Sequence, residues 1–323
     1  ALQAEHFQTY YDYLPDAQYY GFGHGLIQAI IKKREENAVE LQALMDKHKE
    51  PNKRVSFIHF GDKTSASWRY RAKIVSDGWA SLNDFSADTL IFAKPQANEL
   101  MQMARAKARG AWVIVDFCDD HFDWVHYKEA LRLADAVSCN TETMAKIIKE
   151  HGRDATVIGD PYEYPEAKPH YNGLNLLWYG HAVNKHSLER ILPDLEGYNL
   201  RVVSNFGGAI AWSHETMLEE FARADIVLMP ATAEYKSPNR AVEAIRQGCF
   251  VVSERDLGIP HIYVGNILEG IKWTQTQDMT TLISKAQKFV TEEFTPQILI
   301  DKWKTLTKLR TTSDAVKRRG TDG

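Results

Sequence analysis

The densest gathering of residues able to do chemistry lies between Pro230 and Gly248. It reads Pro230-Ala231-Thr232-Ala233-Glu234-Tyr235-Lys236-Ser237-Pro238-Asn239-Arg240-Ala241-Val242-Glu243-Ala244-Ile245-Arg246-Gln247-Gly248. The apolar run Ile226-Val227-Leu228-Met229 precedes it, so the order is strand, polar loop, helix. Ser237 suits a helix cap and Pro238 the first helical position. The free amides of such a start, joined by Lys236 and Arg240, make an anion site suited to a diphosphate. Glu243 lies one helical turn beyond Asn239 and Arg240, on the same face. A carboxylate there can accept two hydrogen bonds from a ribose diol. The same residues would also make an ordinary capped helix with a solvated charged face.

Three other stretches follow apolar runs. Ser204-Asn205-Phe206-Gly207-Gly208 could line a base pocket, or Gly207-Gly208 could be only a turn. Cys118-Asp119-Asp120-His121-Phe122-Asp123 places two carboxylates and an imidazole where they could orient or deprotonate a hydroxyl. Clustered carboxylates could alternatively hold a divalent metal. Gly61 through Arg71 is a polar, small-residue loop leading into a helix that carries Arg69 and Arg71, and an arginine-bearing surface helix would look the same.

The elements that must position these groups alternate along the chain. Val55–Phe60, Thr89–Phe92, Trp112–Phe117 and Ala134–Cys139 read as strands, with helices at 66–78, 96–109, 125–133 and 141–151. After a turn-rich segment from Gly159 to Pro169 the rhythm restarts. Strands Leu174–Tyr179, Leu200–Ser204, Ile226–Met229 and Phe250–Ser253 alternate with helices at 186–193, 214–222 and 239–247. Strands separated by helices of this length form parallel sheets from βαβ units. The expectation is two doubly wound α/β lobes, 53–165 and 166–294, and a last helix with a basic tail over 295–323. Residues 1–52 form a separate tyrosine-rich, helical extension. In such sheets ligands sit outside the carboxyl ends of the strands. Neither lobe has a Gly-x-Gly-x-x-Gly, which argues against a dinucleotide dehydrogenase.

The bulk properties set limits. A chain of 323 residues exceeds one ordinary core. A net charge of −4 excludes a general polyanion binder, though basic residues gather around Lys94, Arg105, Lys107 and Arg109 and in the tail. Cys118, Cys139 and Cys249 are too few and too widely spaced for a disulfide framework or a zinc site. Reduced thiols, no apolar run of membrane-spanning length and no leader-like start make a cytoplasmic setting the expectation, with peripheral membrane contact open.

Across roughly residues 55–310 the sequence resembles the retaining glycosyltransferases of the GT-B fold, near their family four. The run from Glu243 to Val252 matches the second half of that family's two-acid signature, with Glu234 as the first acid. The family spaces the two acids by seven residues, whereas eight separate Glu234 and Glu243. The Lys236-Ser237-x-Asn239-Arg240 form, the Asp116-x-Cys118-Asp119-Asp120 element and the Arg69-Tyr70-Arg71 element look like a bacterial and phage subgroup. After the second lobe's first strand, Gly180-His181 stands where the family has Gly-Arg, and Lys185 lies near its later Lys.

The resemblance implies transfer of a sugar from a nucleoside diphosphate to a hydroxyl acceptor, with retention and without a bound metal or cofactor. Lys185, Lys236 and Arg240 would hold the diphosphate and Glu243 the ribose, with Ser237 and Asn239 also binding the donor and Ser204 and Asn205 near the base. His181 and Glu234 would serve the leaving phosphate and the sugar. Asp119, Asp120 and His121 would act at the acceptor, with Arg69 and Arg71 binding it. An anionic acceptor, such as a lipid-linked saccharide or nucleic acid, would give the basic residues a purpose. Residues 1–50 would serve acceptor binding or self-association. The rival readings are a non-enzymatic two-lobed sugar- or nucleotide-binding protein and a nucleotide-sugar epimerase of the same fold.

Overall fold

The computed structural model describes the backbone of residues 54–319 and side chains to 308. The helical extension expected over residues 1–52 lies outside the described residues, as does the end of the basic tail.

The first lobe is built from β1 (Val55–Ile58), β2 (Ser81–Leu82), β3 (Thr89–Ala93), β4 (Trp112–Phe117), β5 (Ala136–Cys139) and β6 (Thr156–Val157), all parallel in the order β2-β1-β3-β4-β5-β6. Its helices are α1 (66–76), α2 (Leu100–Ala108), α3 (Val125–Leu133) and α4 (Glu142–Glu150). Strands buried on both faces read as continuous apolar runs, and β3 is buried along its whole length. Four short edge strands among the described residues, β2 and β6 included, escape the sequence pattern because two residues cannot show a period.

The second lobe repeats the plan with β7 (Asn175–Tyr179), β8 (Asn199–Ser204), β9 (Ile210–Ala211), β10 (Ile226–Met229), β11 (Phe250–Ser253) and β12 (Tyr263–Val264). All are parallel, in the order β12-β11-β10-β7-β8-β9. This is the Rossmann order, which reverses between β7 and β10. The lobe's helices are α5 (Lys185–Ile191), α6 (His214–Arg223), α7 (Asn239–Arg246), α8 (Ile267–Thr274) and α9 (Met279–Phe294). Gly248 closes α7 at φ +82°, and a Cβ there would stand 2.3 Å from the Lys168 carbonyl oxygen, so only glycine fits.

The last helix, α10 (Pro296–Arg319), returns to the first lobe. Trp303 is fully buried against Phe57, with ring centroids 5.2 Å apart at 79°, and Leu299 and Leu306 join the same cluster. The C-terminal helix thereby closes the apolar face that α1 leaves on the first sheet.

The connection from Ile158 to Tyr164 is gripped from both lobes. Residues Arg69–Lys73 of α1 form a π-helical turn, a local widening that often marks functional sites. Arg71, fully buried, donates to both oxygens of Asp116 (2.8 and 2.5 Å), to the carbonyls of Ile158 (2.5 Å) and Gly159 (2.8 Å), and to Asp160 (3.1 Å). A buried charge is tolerated only when paired and hydrogen-bonded in this way. Arg69 makes a paired contact to Glu163 at 2.9 and 3.0 Å.

Candidate functional site

The reversal point of the second sheet concentrates the cationic residues. From the carboxyl end of β7, the Tyr179 carbonyl accepts from Arg240 Nη1 at 2.7 Å, and the Tyr179 hydroxyl donates to the Arg240 carbonyl at 2.5 Å. Gly180 leaves the space for this guanidinium, since a Cβ there would stand 3.0 Å from Nη1. Across the loop, Arg255 follows β11 and donates to the carbonyls of Ala233 and Lys236, the latter at 2.9 Å. Glu254 accepts from the Ala231 amide at 2.7 Å and pairs with Arg190. The β10–α7 loop is thus clamped from the end of β11.

Neither Arg240 nor Arg255 forms an ion pair with a carboxylate among the described residues. Burial lowers the basicity of both, and their mutual repulsion lowers that of Arg240 further. Glu234 acts on Arg255 through space without pairing with it, so two half-buried guanidiniums stand here with hydrogen bonds to carbonyls and no direct carboxylate contact. The helix start adds to it. Helix α7 begins at Asn239, with Pro238 rather than Ser237 at the cap position and no side chain capping it. The Ser237 hydroxyl is buried and turned toward Asp160 without a hydrogen bond of normal geometry.

Lys236 points across to the first lobe, where it pairs with Asp119. Lys94, directly after β3, holds the other oxygen of Asp119 at 2.6 Å. The Thr141 hydroxyl donates to the Tyr235 carbonyl at 3.1 Å, a second contact between the lobes. His121 stacks on the exposed ring of Trp124, centroids 4.2 Å apart at 7°, and burial holds the imidazole below its usual value. Asp120 accepts from the Phe122 amide at 3.3 Å.

Glu243 sits deeper, 2% exposed. It accepts from the amides of Glu163 (2.7 Å) and Tyr164 (3.2 Å), and Tyr70 Oη lies 3.1 Å from it and 3.1 Å from Glu163. One hydroxyl proton serves only one of two carboxylates. Burial, aided by the Glu163 charge, pushes Glu243 up to about 8.

The remaining expected residues fall elsewhere. His181 is exposed, with Val183 N at 3.3 Å and Asn205 Nδ2 at 3.0 Å facing its ring nitrogens. Asn205 also accepts from the Ala182 amide at 2.8 Å, and Ser204 donates to the Gly180 carbonyl at 2.6 Å. Ser204 and Asn205 therefore fasten the turn after β7. Lys185 pairs with Glu189 at 2.5 Å on the exposed face of α5, and Glu234 is exposed. Asn239 is half-buried at the α7 start. The structure brings together Lys236, Ser237, Asn239, Arg240, Glu243 and Asp119, and leaves Lys185, His181 and Glu234 on the rim. Arg71 lies in the interior rather than at the cleft.

Lys94 and Arg255 were not singled out by the motif. Each follows a strand within two residues, so the strand-end rule applied to every strand finds both. No three His, Cys, Asp or Glu residues gather for a metal among the described residues, and no described helix is long and apolar enough to cross a membrane.

A scan against protein-family models and a search of curated proteins find no match. Among solved structures, the chain is similar to Anabaena HepE in complex with UDP-glucose. The likeness covers 81% of this chain and 100% of HepE, at TM-score 0.56 and 14% identity. The complex of HepE with UDP gives 80%, 100%, 0.55 and 14%. At such identity the likeness defines the fold: two Rossmann-like lobes in the GT-B arrangement, each a six-stranded parallel sheet.

Proposed function

We propose that the chain is a glycosyltransferase that moves a sugar from a nucleoside diphosphate to a hydroxyl acceptor. The observation that carries this is the pair Arg240 and Arg255, half-buried and in no ion pair among the described residues, at the reversal point of the second sheet. Together with Lys236 and the uncapped start of α7, they offer the charge that a leaving diphosphate demands. HepE, of the same fold, binds UDP-glucose and UDP in its crystals, which supports a uridine nucleotide as the first donor to try.

In this reading Arg240, Arg255 and Lys236 bind the diphosphate, Ser237 and Asn239 line its approach, and Lys185 and His181 on the rim meet it on closure. Glu243 serves the ribose, the Tyr70 hydroxyl yielding its place to a ribose hydroxyl, and Glu234 reaches the sugar. Asp119, with Asp120 and His121, orients the acceptor hydroxyl, and Arg69 borders the acceptor side. The cations do the work a metal does elsewhere, so transfer proceeds without one. In this reading the acceptor attacks from the face of the leaving phosphate, so configuration is retained. Helix α10 and the Arg71 cluster hold the lobes at their connection.

A thermal-shift screen of nucleotide sugars tests the reading. A nucleotide sugar that raises the melting temperature, with its nucleoside diphosphate doing likewise, is the expected result. A hit confined to free sugars would instead support a sugar-binding protein. The anomeric coupling constant of the product, read by proton NMR, decides retention.

A further inference from the structure

The first sheet has its own reversal point, between β1 and β3, and the residue that follows β3 there is Lys94. Its backbone is left-handed, with φ at +54°. That conformation is unfavourable for any residue with a Cβ and natural for glycine, so a lysine there supplies something that glycine would not. The Lys94 amide is fixed by donating to the Asp116 carbonyl at 2.9 Å. The ammonium reaches Asp119 at 2.6 Å, on the oxygen that Lys236 does not take. One carboxylate is shared by two ammoniums, one from each lobe.

The phosphate oxygens of a donor and the Asp119 carboxylate are rivals for Lys236, because both are anions and the ammonium is a single charge. On the reading that the second lobe binds a nucleoside diphosphate, we propose that Lys94 is a positioning residue: it retains Asp119 at the cleft when the diphosphate displaces that carboxylate from Lys236. Asp119 is then free to accept a hydrogen bond from the acceptor hydroxyl. Donor binding and acceptor orientation are coupled through the exchange.

The surroundings of Asp119 fit this division. Burial works to raise its carboxyl, but Lys94, followed by Lys236, outweighs burial and holds it below the ordinary carboxylate range. Cys118, His121 and Tyr127 feel the same carboxylate, and at neutral pH none is a cation that could replace Lys94. Without Lys94, Lys236 would be the sole counter-ion of Asp119, and the carboxylate would compete harder with the diphosphate.

Calorimetric titration with UDP, GDP, ADP and CDP tests this on the full chain, as wild type, Lys94→Met, Lys94→Arg, Asp119→Asn and the Lys94→Met/Asp119→Asn double variant. Asp119→Asn should bind the responding nucleotide several-fold tighter than wild type, and Lys94→Met several-fold weaker. The double variant should return to the Asp119→Asn level, because Lys94 acts only through Asp119, and Lys94→Arg should match wild type. A double variant as weak as Lys94→Met, or Lys94→Met binding as well as wild type, would overturn the proposal while leaving the donor reading intact. No binding of any of the four nucleotides by wild type would overturn both.

Discussion

Lys236 of the second lobe and Asp119 of the first form an ion pair across the cleft, with Lys94 on the far oxygen of the carboxylate. A group proposed to bind the donor and a group proposed to meet the acceptor are therefore joined before either ligand arrives. In the proposed exchange, donor binding separates them.

Arg240 and Arg255 should dominate donor affinity. Each charge-assisted contact to a phosphate contributes about 1.5–3 kcal/mol. Replacing either by Ala is expected to weaken nucleoside diphosphate binding about 10- to 100-fold by calorimetry. Replacing exposed Lys185 should weaken it less.

Glu243→Ala should cost both binding and stability. Two amides, of Glu163 and Tyr164, would lose their acceptor inside the protein, at about 1–3 kcal/mol each. Chemical denaturation should report that loss. Unchanged donor affinity in the same variant would remove Glu243 from the ribose while leaving its anchoring of the connection in place.

Two buried acids and one buried imidazole should make stability depend on pH in opposite senses. Glu243 is raised to about 8 and Glu99 to about 7, both by burial first. Their folded forms hold protons that the unfolded chain releases near pH 4.5, so their contribution is full below that value and is lost as pH rises through 7 and 8. His59 is lowered to about 4, by burial and then Lys94. Its contribution is full above about 6.5 and is lost as pH falls toward 4. With two acids set against one imidazole, denaturation curves across pH 4–9 should show a net fall in stability above about pH 4.5, and Glu243→Gln should flatten it.

Trp303→Ala should destabilise the first lobe by about 3–5 kcal/mol, because a fully buried indole against Phe57 leaves a cavity. Arg71→Met should do comparable damage, about 3–5 kcal/mol, by stranding Asp116 and Asp160 without their cation. Melting curves of both variants measure this. A loss confined to ligand binding, with no change in stability, would return Arg71 to the acceptor.

The sheets were legible because their strands are buried on both faces. Trp112–Phe117, Ile226–Met229 and Phe250–Ser253 appear in the sequence with the bounds they have in the structure. The two-residue edge strands were not legible, for want of a period, and α8 and α9 were not among the expected helices. The cluster around Lys236 was legible as a strand end followed by a helix start. Pairings between sequence-distant residues were not: Lys94 with Asp119, Arg255 with the Lys236 carbonyl, and Tyr70 between Glu163 and Glu243 exist only once the chain has folded. Arg71 carried the same arginine signal as Arg69, and only burial separates their roles.

Release of nucleoside diphosphate from a nucleotide sugar, UDP-glucose first, tests the central claim most directly, comparing wild type with the Arg240→Ala/Arg255→Ala variant. The account predicts slow release by wild type with water as acceptor, and loss of that release in the variant despite an unchanged fold by circular dichroism. Binding of nucleotide sugars without any release, or release untouched by removing both arginines, would contradict it.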